Sequence, residues 1–406
     1  MTIQVAAVLG GGIMGSCIAL ELARRGIRSV VFEEQADIFN AASRWNEGKI
    51  HLGYLYSADR DLATAKSLIP AGLAFKPIVE DLLGQPITVA ATDVDDVYLC
   101  HKDSVVGLEA MDTYFGKVSE LVREHRNRHN YFTGLASARA VRLSASQLDQ
   151  LTPSKSIIGG FRLPERSVST NWIAGKFVAA VRSNGLISTH CGVRVSGVAS
   201  KDGGSAMDPW FIETTEGREG PFDTVFNALW QGKLAIDAVV GLPLPAEWTH
   251  RYRLSAFLRT SERVSIPNAV IATGPFGDIK NYDGHDLYMS WYPSGLRHNS
   301  NAVVPPAEPH LTADENRSVL DSIAAGLREY FPAAGEILRS AEQIQLRGGW
   351  VYAASRGLLS DPKATIHTRS NFGVARQGTY FSIDTGKYSV APWLARKIVS
   401  ALADSR

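Results

Sequence analysis

Six residues near the start of the chain have the spacing that binds the phosphates of a dinucleotide. The segment Gly10-Gly11-Gly12-Ile13-Met14-Gly15 follows the apolar run 5–9 and precedes a stretch with the apolar periodicity of a helix. Gly10 allows a tight turn, Gly12 lets the backbone approach a pyrophosphate, and Gly15 lets the helix pack closely on the sheet. The free N–H groups at the start of that helix would then bind the phosphates.

An acidic pair at the end of the next apolar run extends this pattern. Glu33 follows Gly15 by about 20 residues, where a carboxylate can accept the hydroxyl groups of an adenosine ribose. A strand, a glycine turn, a helix and a second strand that ends in a carboxylate form a βαβ unit, so the segment predicts a Rossmann-like nucleotide-binding fold. The residues predicted to contact the cofactor in this unit are Gly10, Gly12, Ile13, Met14, Gly15, Glu33 and Glu34.

The composition is that of an ordinary globular protein with more than one domain. With 406 residues, the chain is longer than one hydrophobic core usually supports. Its 42 basic and 41 acidic residues give a formal net charge of +1, and without a dense basic cluster a nucleic-acid partner is disfavoured. Three cysteines lie far apart and form no CxxC pair, so neither a metal site nor a dithiol redox site is predicted.

Two features bear on the location of the protein. The first strand begins within a few residues of the start, which leaves no room for a signal peptide. No apolar run approaches the ~20 residues that span a bilayer. We therefore expect a cytoplasmic protein without a transmembrane segment, and the sequence gives no oligomeric state.

The pattern typical of a nucleotide-binding domain recurs at the front, in the middle and at the end of the chain. We therefore expect two domains, each built from discontinuous segments. In the second one, alternating segments such as Leu287 to Tyr292 predict a mainly antiparallel sheet. The predicted bounds are 1–80, 151–240 and 340–406 for the cofactor-binding domain, and 81–150 and 241–339 for the substrate-binding domain.

Four segments resemble one family of flavoenzymes. The first is the βαβ unit from Gly10 to Glu33, and the second is the loop 42–51, which is similar to the family's Ser-x-x-Asn-x-Gly-x-Ile-His loop beside the flavin. The strand 192–198 is similar to the one that meets the adenine, and the turn 384–389 is similar to the one placed under the pyrimidine end of the flavin. On these segments the chain resembles a divergent member of the FAD-dependent oxidoreductases of the D-amino-acid oxidase and glycine oxidase superfamily.

The resemblance implies FAD as the cofactor and a fold with two parts. One is an α/β FAD-binding domain, Rossmann-like and of the glutathione-reductase type, and the other is an α+β substrate domain with a mainly antiparallel sheet. Lys387 would add positive charge where a reduced flavin carries negative charge. The segment 227–232 departs from the family's Asn-Ala-x-Gly pattern, because it contains the bulky Leu229 and Trp230. The further residues implied to contact FAD are Ser43, Arg44, Asn46, Gly48, Val195, Gly386, Lys387 and Tyr388.

Four residues are candidates for the chemistry on the substrate. His51 follows the flavin loop and suits a base near neutral pH; covalent attachment to the flavin and a structural hydrogen bond are the alternatives. Arg347 is similar to the family's arginine that binds a substrate carboxylate, although Gly348 replaces a proline; a surface or interdomain salt bridge is the alternative. Tyr288 and Tyr292 would line the pocket from one strand face, or else pack against a neighbouring sheet.

The resemblance also implies a reaction. An FAD-dependent oxidase or dehydrogenase would oxidise a CH–NH or CH–OH bond of a small, carboxylated substrate by hydride transfer to flavin N5, with oxygen or another acceptor reoxidising the flavin. Two alternatives stay open: an NAD(P)H-dependent flavin monooxygenase, for which a second GxGxxG motif is missing, and a flavin-binding protein without turnover. The sequence does not identify the substrate.

Overall fold

The structure is a computed structural model that describes residues 3–200 and 208–404. Its strands are β1 (Val5–Leu9), β2 (Arg28–Glu33), β3 (Lys49–Ile50), β4 (Asp96–His101), β5 (Val141–Arg142), β6 (Ile157–Leu163), β7 (Arg166–Ser167), β8 (Ile187–Cys191), β9 (Val195–Ser200), β10 (Trp210–Thr214), β11 (Gly217–Phe222), β12 (Thr224–Asn227), β13 (Thr249–Arg259), β14 (Ala269–Ala272), β15 (Gly277–Asn281), β16 (Asp286–Trp291), β17 (Leu296–Ser300), β18 (Gln343–Ala353), β19 (Gly373–Gln377) and β20 (Tyr380–Asp384). Its α-helices are α1 (Ile13–Ala23), α2 (Ala63–Leu83), α3 (Leu108–Glu124), α4 (Ala145–Leu151), α5 (Thr170–Arg182), α6 (Lys233–Val240), α7 (Tyr292–Gly295), α8 (Ala313–Arg328), α9 (Pro332–Ser340) and α10 (Ala391–Asp404).

Six strands form a sheet whose neighbours run parallel except at one edge. The strand order is β19-β20-β12-β1-β2-β8, and β19 is antiparallel to β20. Alternate residues of β1 face opposite layers: Ala6 and Val8 pack with the helices, and Ala7 and Leu9 pack with a small second sheet. Because both faces are covered, the central strands are continuous apolar runs.

Two different layers cover this sheet. On one side α1 packs against α10 and α2. On the other side lies the antiparallel sheet β11-β10-β9, whose Trp210 and Ile212 share a core with β1 and β12. The sequence predicts a Rossmann-like α/β domain here, and the structure confirms it.

Nine strands form another sheet, which is mainly antiparallel as predicted. Its order is β17-β13-β16-β15-β14-β4-β6-β5, with β18 paired along β13 and with β14 parallel to β4. Helices α8 and α9 cover one face, where Met289 and Leu258 pack with Ile323 and Leu327. The opposite face carries polar side chains and borders the cavity described below.

Strands β6 and β18 lie in the predicted cofactor-binding segments but belong to the nine-stranded sheet. The predicted cofactor-binding segments 151–240 and 340–406 include β6 and β18, yet β6 pairs with β4 and β18 pairs with β13 in the nine-stranded sheet. Long-range strand pairing, which leaves no local signal in a sequence, moves both strands out of those segments. We therefore propose a substrate domain made of residues 81–150 and 241–339 together with β6 and β18.

The helices and acidic side chains of the described residues bear on membrane and metal binding. No helix within 3–200 and 208–404 is long and apolar enough to cross a membrane. In the same ranges, no group of three or more histidine, cysteine, aspartate or glutamate side chains is placed to hold a metal ion. Cys17, Cys100 and Cys191 are free thiols.

Asp237 joins three elements of the nucleotide-binding half through one buried carboxylate. Its Oδ1 accepts hydrogen bonds from Asn227 Nδ2 at 3.0 Å and from the Tyr380 hydroxyl at 2.9 Å. Its Oδ2 accepts from Ser382 Oγ at 2.7 Å and from Lys233 Nζ at 2.7 Å. These partners lie on β12, β20 and α6, so the carboxylate ties the sheet to a helix.

The variant Asp237→Ala should lower the free energy of unfolding by about 3–5 kcal/mol, because it leaves Lys233 buried and charged without its partner. Urea unfolding followed by far-UV circular dichroism measures this change. Asp149→Ala is the control, since Asp149 is 69% exposed and pairs with the exposed Lys155, and its midpoint should stay near that of the parent. Equal midpoints for both variants would contradict the role of Asp237.

Candidate functional site

A cavity of about 1000 Å³ lies between the six-stranded and the nine-stranded sheets. This volume is at the upper end of the roughly 300–1,000 Å³ typical of ligand pockets, as a dinucleotide with a substrate requires. Fifteen of the residues predicted from the sequence line it: Gly10, Gly12, Ile13, Met14, Glu33, Glu34, Ser43, Asn46, His51, Val195, Tyr288, Tyr292, Gly386, Lys387 and Tyr388. Four predicted residues do not line it: Gly15, Arg44, Gly48 and Arg347.

The glycine turn between β1 and α1 has no room for side chains. Gly10 has a φ of +97°, and a Cβ placed on it would lie 2.6 Å from the carbonyl oxygen of Ala228. A Cβ on Gly12 would lie 2.7 Å from Ser43 Oγ, and one on Gly15 would lie 1.9 Å from the carbonyl oxygen of Gly10. Gly12 therefore keeps the backbone open to the cavity, whereas Gly15 acts through the packing of α1 on the turn.

Glu33 and Glu34 have different surroundings at the end of β2. Glu33 Oε2 accepts a hydrogen bond from the Gly11 N–H at 2.7 Å, and Oε1 accepts one from the Gln35 N–H at 2.8 Å. Burial raises the pKa of Glu33, and these backbone N–H groups oppose that rise. Glu34 is exposed and pairs with Arg194 Nε at 3.2 Å. Glu33 is thus the carboxylate held in place at the strand end.

The loop 39–48 is folded by its own polar groups. The Asn46 side chain donates to the carbonyl oxygen of Ala42 at 2.8 Å and accepts from the Gly48 N–H at 2.9 Å. Arg44 Nε donates to the carbonyl oxygen of Phe39 at 3.0 Å, so this guanidinium bonds within the loop and does not line the cavity. Gly48 has a φ of +64°, a conformation that favours glycine. Arg44 and Gly48 therefore shape the loop, and a contact between either residue and the cofactor stays a prediction.

Lys387 and its neighbours close one end of the cavity. Lys387 Nζ lies 5.4 Å from the centre of the Tyr56 ring. Burial, followed by the charge of Arg369, lowers the pKa of Lys387 to about 7. The Tyr388 hydroxyl is buried and has no hydrogen-bond partner among the described residues. Gly386 has a φ of +64° and lets the chain turn against Phe372.

His51 is a buried, neutral imidazole at the cavity wall. It is 1% exposed, and its Nδ1 has no hydrogen-bond partner within residues 3–200 and 208–404. Burial, followed by the charges of Lys387 and Lys49, lowers its pKa well below the usual value. A neutral ring with an unpartnered nitrogen is able to accept a proton.

A buried group of charges lies behind this wall. Lys280 Nζ donates to both carboxylate oxygens of Asp96 at 2.8 Å, and Lys49 Nζ also pairs with Asp96. Glu165 lies 3.6 Å from Lys49 Nζ and accepts a hydrogen bond from the Tyr98 hydroxyl at 2.6 Å. The two lysines and the two acids neutralise one another.

The turn after β12, where the sequence departs from the family pattern, packs against the nine-stranded sheet. Trp230 has a φ of +56°, and its Nε1 donates to the carbonyl oxygen of Trp350 at 2.7 Å. Leu229 and Trp230 both line the cavity. Trp230 therefore anchors this turn on β18, whereas Leu229 packs against the core that contains Ala7 and Leu9 of β1.

Arg347 is not in the cavity, contrary to the prediction. It is exposed near the start of β18, its Nε lies 3.5 Å from Gln345 Oε1, and its guanidinium lies 5.6 Å from the centre of the Trp45 ring. Residues further along the same strand, Gly349 and Val351, line the cavity. β18 therefore borders the cavity at Gly349 and Val351, and Arg347 lies outside that part of the strand.

Two arginines that the sequence analysis did not select face the cavity from β13. Arg251 is 6% exposed, and its Nη1 donates to the Tyr292 hydroxyl at 3.3 Å. Arg253 Nη2 donates to Ser290 Oγ at 3.3 Å, and the Nε atoms of both arginines are buried without a partner in the described chain. Arg251 and Arg253 are alternate residues of β13 and so share a face, and this spacing is the signal in the sequence that could have revealed them.

Tyr288 and Tyr292 line the cavity, and each contacts a side chain of β13. The Tyr288 hydroxyl accepts a hydrogen bond from Ser255 Oγ at 3.2 Å. Tyr292 accepts from Arg251, and the Arg253 guanidinium lies 5.0 Å from the centre of its ring. The Tyr292 side chain therefore contacts both arginines of the wall.

These observations fit FAD. The turn at Gly10 leaves only backbone facing the cavity, and Glu33 stands at the end of the next strand. At the other end, His51 Nδ1 and the Tyr388 hydroxyl are polar atoms that lack a protein partner in the described ranges. Residues 10–14, Glu33 and Ser43 would hold the adenosine and pyrophosphate, and residues 386–388 would hold the flavin.

Several solved structures share this architecture. Glycine oxidase from Geobacillus kaustophilus superposes with a TM-score of 0.67 at 16% sequence identity, over 99% of this chain and 95% of that one. The open form of NikD, described as an unusual amino acid oxidase essential for nikkomycin biosynthesis, gives 0.68 at 13% identity, over 99% and 95%. Iminodiacetate oxidase from Chelativorans sp. BNC1 gives 0.63 at 16% identity, over 98% and 95%. At these identities the likeness shows the fold.

The family itself is shown by sequence. No curated protein matches the chain significantly. Residues 6–375 match the family described as "DAO: FAD dependent oxidoreductase", which spans nearly the whole chain. The chain belongs to this DAO family, and it is an FAD-dependent oxidoreductase.

Proposed function

We propose that the protein oxidises a CH–NH or CH–OH bond of a small carboxylated substrate. The observation that carries this proposal is Arg251, a buried guanidinium without an anion in the same cavity as the nucleotide-binding turn. FAD, when bound, accepts the hydride from the substrate carbon and gains negative charge at its pyrimidine end. Oxygen or another acceptor would then take the electrons from the reduced flavin. The cytoplasmic location of the protein stays a prediction.

Arg251 needs an anion from outside the protein. Arginine stays protonated in proteins, so burial cannot be relieved by loss of the proton. The hydrogen bond to the Tyr292 hydroxyl is not an ion pair, and the charges of the neighbouring Arg369 and Arg253 add to the cost of burial. A buried charge without a partner is costly. A substrate carboxylate bound in the fork of the guanidinium would remove that cost.

His51 supplies the proton acceptor in this proposal. Its lowered pKa keeps it neutral near pH 7, and its Nδ1 is free to accept a proton from the substrate nitrogen or oxygen. Three of the structural neighbours are named as oxidases of glycine, of iminodiacetate and of an amino acid. These names support a carboxylated amine as the first substrate class to test.

An anaerobic absorbance titration tests the proposed reaction. The FAD-loaded protein is mixed with amino acids, N-methyl amino acids and 2-hydroxy acids, and we expect one class to bleach the flavin absorbance. Arg251→Lys should raise the KM for that substrate by about 10-fold or more, because an ammonium cannot make the bidentate pair.

Arg347→Lys is the matched control for this experiment. Arg347 lies outside the cavity lining, and a lysine keeps the cation near Trp45, so the KM should not change. If no compound bleaches a flavin that dithionite reduces, the proposed oxidation is wrong. If Arg347→Lys raises the KM and Arg251→Lys does not, the carboxylate is bound elsewhere.

Glu33→Gln should weaken the retention of FAD by about 10-fold or more, because hydrogen bonds to a charged acceptor contribute ~1.5–3 kcal/mol each. The ratio of flavin to protein absorbance after gel filtration, and the fluorescence of released FAD on dilution, measure this loss. Glu216→Gln, in an exposed turn between β10 and β11, is the control and should keep its cofactor. Full retention in both variants would remove Glu33 from the ribose site.

Lys387→Met should lower the reduction potential of the bound flavin below pH 7 more than above it. The pKa of Lys387 near 7 means that its ammonium is charged at lower pH and neutral at higher pH. Only the charged form stabilises negative charge on the reduced cofactor. Potentials of parent and variant, measured by dye equilibration from pH 6 to pH 8, should therefore converge as the pH rises. A gap that is constant with pH would contradict this assignment.

A further inference from the structure

Three guanidinium groups face the cavity without a carboxylate partner. Arg251 and Arg253 extend from β13, and Arg369 reaches the cavity from the loop before β19. No ion pair formed among residues 3–200 and 208–404 includes any of the three. Their side-chain hydrogen bonds go to uncharged groups, namely the hydroxyls of Tyr292 and Ser290 and the backbone carbonyl of Tyr352.

Arg251 and Arg253 each present an unused donor. Their Nε atoms are buried and lack a hydrogen-bond partner in the described part of the chain. A buried N–H without an acceptor is costly, and the Nε and a terminal nitrogen together form the fork that matches a carboxylate or a phosphate. The wall therefore offers two forks, and one carboxylate fills one of them.

The two acids near this wall do not balance it. Glu47 and Asp278 line the cavity, but neither forms an ion pair with the three arginines. Asp278 accepts a hydrogen bond from Ser290 Oγ, and burial followed by the charge of Glu47 raises its pKa. The two acids thus favour one negative charge over two. Burial opposes the charge of Arg253, yet its pKa is raised, with Asp278 and Glu47 among the causes, whereas burial lowers the pKa of Arg251. The acids therefore act on the charge of Arg253, while the buried Nε donors of both arginines still lack an acceptor in the described residues.

The spacing of the two forks limits the shape of the ligand. Arg251 and Arg253 are alternate residues on one strand face, so their backbones are about 6.6 Å apart. Arg251 contacts the Tyr292 hydroxyl, and Arg253 contacts Ser290 and the Tyr292 ring, so both guanidinium groups lie beside Tyr292. Two anionic groups joined by a short carbon chain suit this spacing.

We propose that the substrate carries two anionic groups, one bound by Arg251 together with Arg369 and the other by Arg253. The proposal rests on the proposed function, because it assigns a substrate class to that same site. A short dicarboxylic acid with an oxidisable CH–NH or CH–OH carbon has this chemistry, and so does a compound with one carboxylate and one phosphate.

Binding of probes that the enzyme cannot oxidise tests the proposal without turnover. Succinate, glutarate and phosphoglycolate carry two anionic groups, whereas butyrate and valerate match the diacids in length and carry one. The change in the absorbance spectrum of the bound flavin gives the Kd of each probe at one fixed ionic strength. We expect at least one dianion to bind about 10–100-fold more tightly than its monoanionic counterpart. A preference for phosphoglycolate over the diacids would identify the second group as a phosphate.

Variants assign this preference to the wall. Arg253→Gln and Arg369→Gln should each reduce the preference for the dianion to less than about 3-fold, because one anionic group then lacks its fork. Arg253→Lys keeps the positive charge but loses the fork, so it should retain an intermediate preference for the dianion. It separates the effect of the charge from the effect of the fork. Flavin content and the thermal midpoint are measured for each variant. Arg347→Gln is the control and should bind every probe as the parent does.

Three outcomes would overturn the proposal. The first is equal affinity for dianions and monoanions, the second is a preference that survives in both Arg253→Gln and Arg369→Gln, and the third is a preference that Arg347→Gln abolishes. Reduction of the flavin by a monocarboxylate, with glutarate bound no better than valerate, would leave the proposed function standing and remove the second anion. Tight binding of glutarate, with the flavin left oxidised by glutamate, aspartate, malate and 2-hydroxyglutarate, would support the two-anion site and contradict the oxidation of such compounds.

Discussion

The buried group of Lys49, Asp96, Lys280 and Glu165 fixes the loop on which the site depends. Each charge in it has an opposite charge within reach, which is the condition for keeping ions away from water. The group joins three parts of the chain, since Lys49 lies on β3 beside the flavin loop, Asp96 on β4 and Lys280 on β15. Glu165 also accepts a hydrogen bond from the Leu52 N–H at 2.6 Å, directly after His51. The backbone that presents His51 to the cavity is therefore held by the nine-stranded sheet. The position of the flavin loop thus depends on the substrate domain.

Burying a charge is costly, and the buried charges on the two sides of the cavity wall differ in whether they are paired. Behind it, cations and carboxylates are paired and the charges cancel. In front of it, Arg251 and Arg253 are left with buried Nε donors that no described residue accepts. Leaving charges unpaired lowers the stability of the empty site, and an anion that fits removes the penalty when it binds. Relief of this penalty contributes to the free energy of binding. The site therefore favours ligands that carry negative charge over neutral ligands of the same shape.

The nucleotide half could be predicted from the sequence because its signals are local. The spacing of Gly10, Gly12 and Gly15, followed by Glu33, lies within one βαβ unit, and the structure confirms that fold. The predictions and the structure differ where residues distant in the sequence come together. The bounds of the domains missed β6 and β18, whose partners are distant in the chain. Arg347 was chosen by resemblance, and in a divergent chain a matching strand does not fix which of its residues reaches the site. Arg251 and Arg253 carried a readable signal of alternate polar residues in a strand, whereas Arg369 lies in a loop without periodicity and leaves no such trace.

The charges of the wall also connect ligand binding to the proton acceptor. Burial and the positive charges around the cavity, Lys387 first among them, hold the pKa of His51 well below its usual value. An anion bound at Arg251 and Arg369 would cancel part of that positive field, because Arg369 is itself one of the charges that lower this pKa. The pKa of His51 would then rise toward neutrality while the substrate is in place, and a base is most effective when its pKa is near the working pH. The same arginines would bind the substrate and make His51 a stronger base only when there is a substrate to deprotonate.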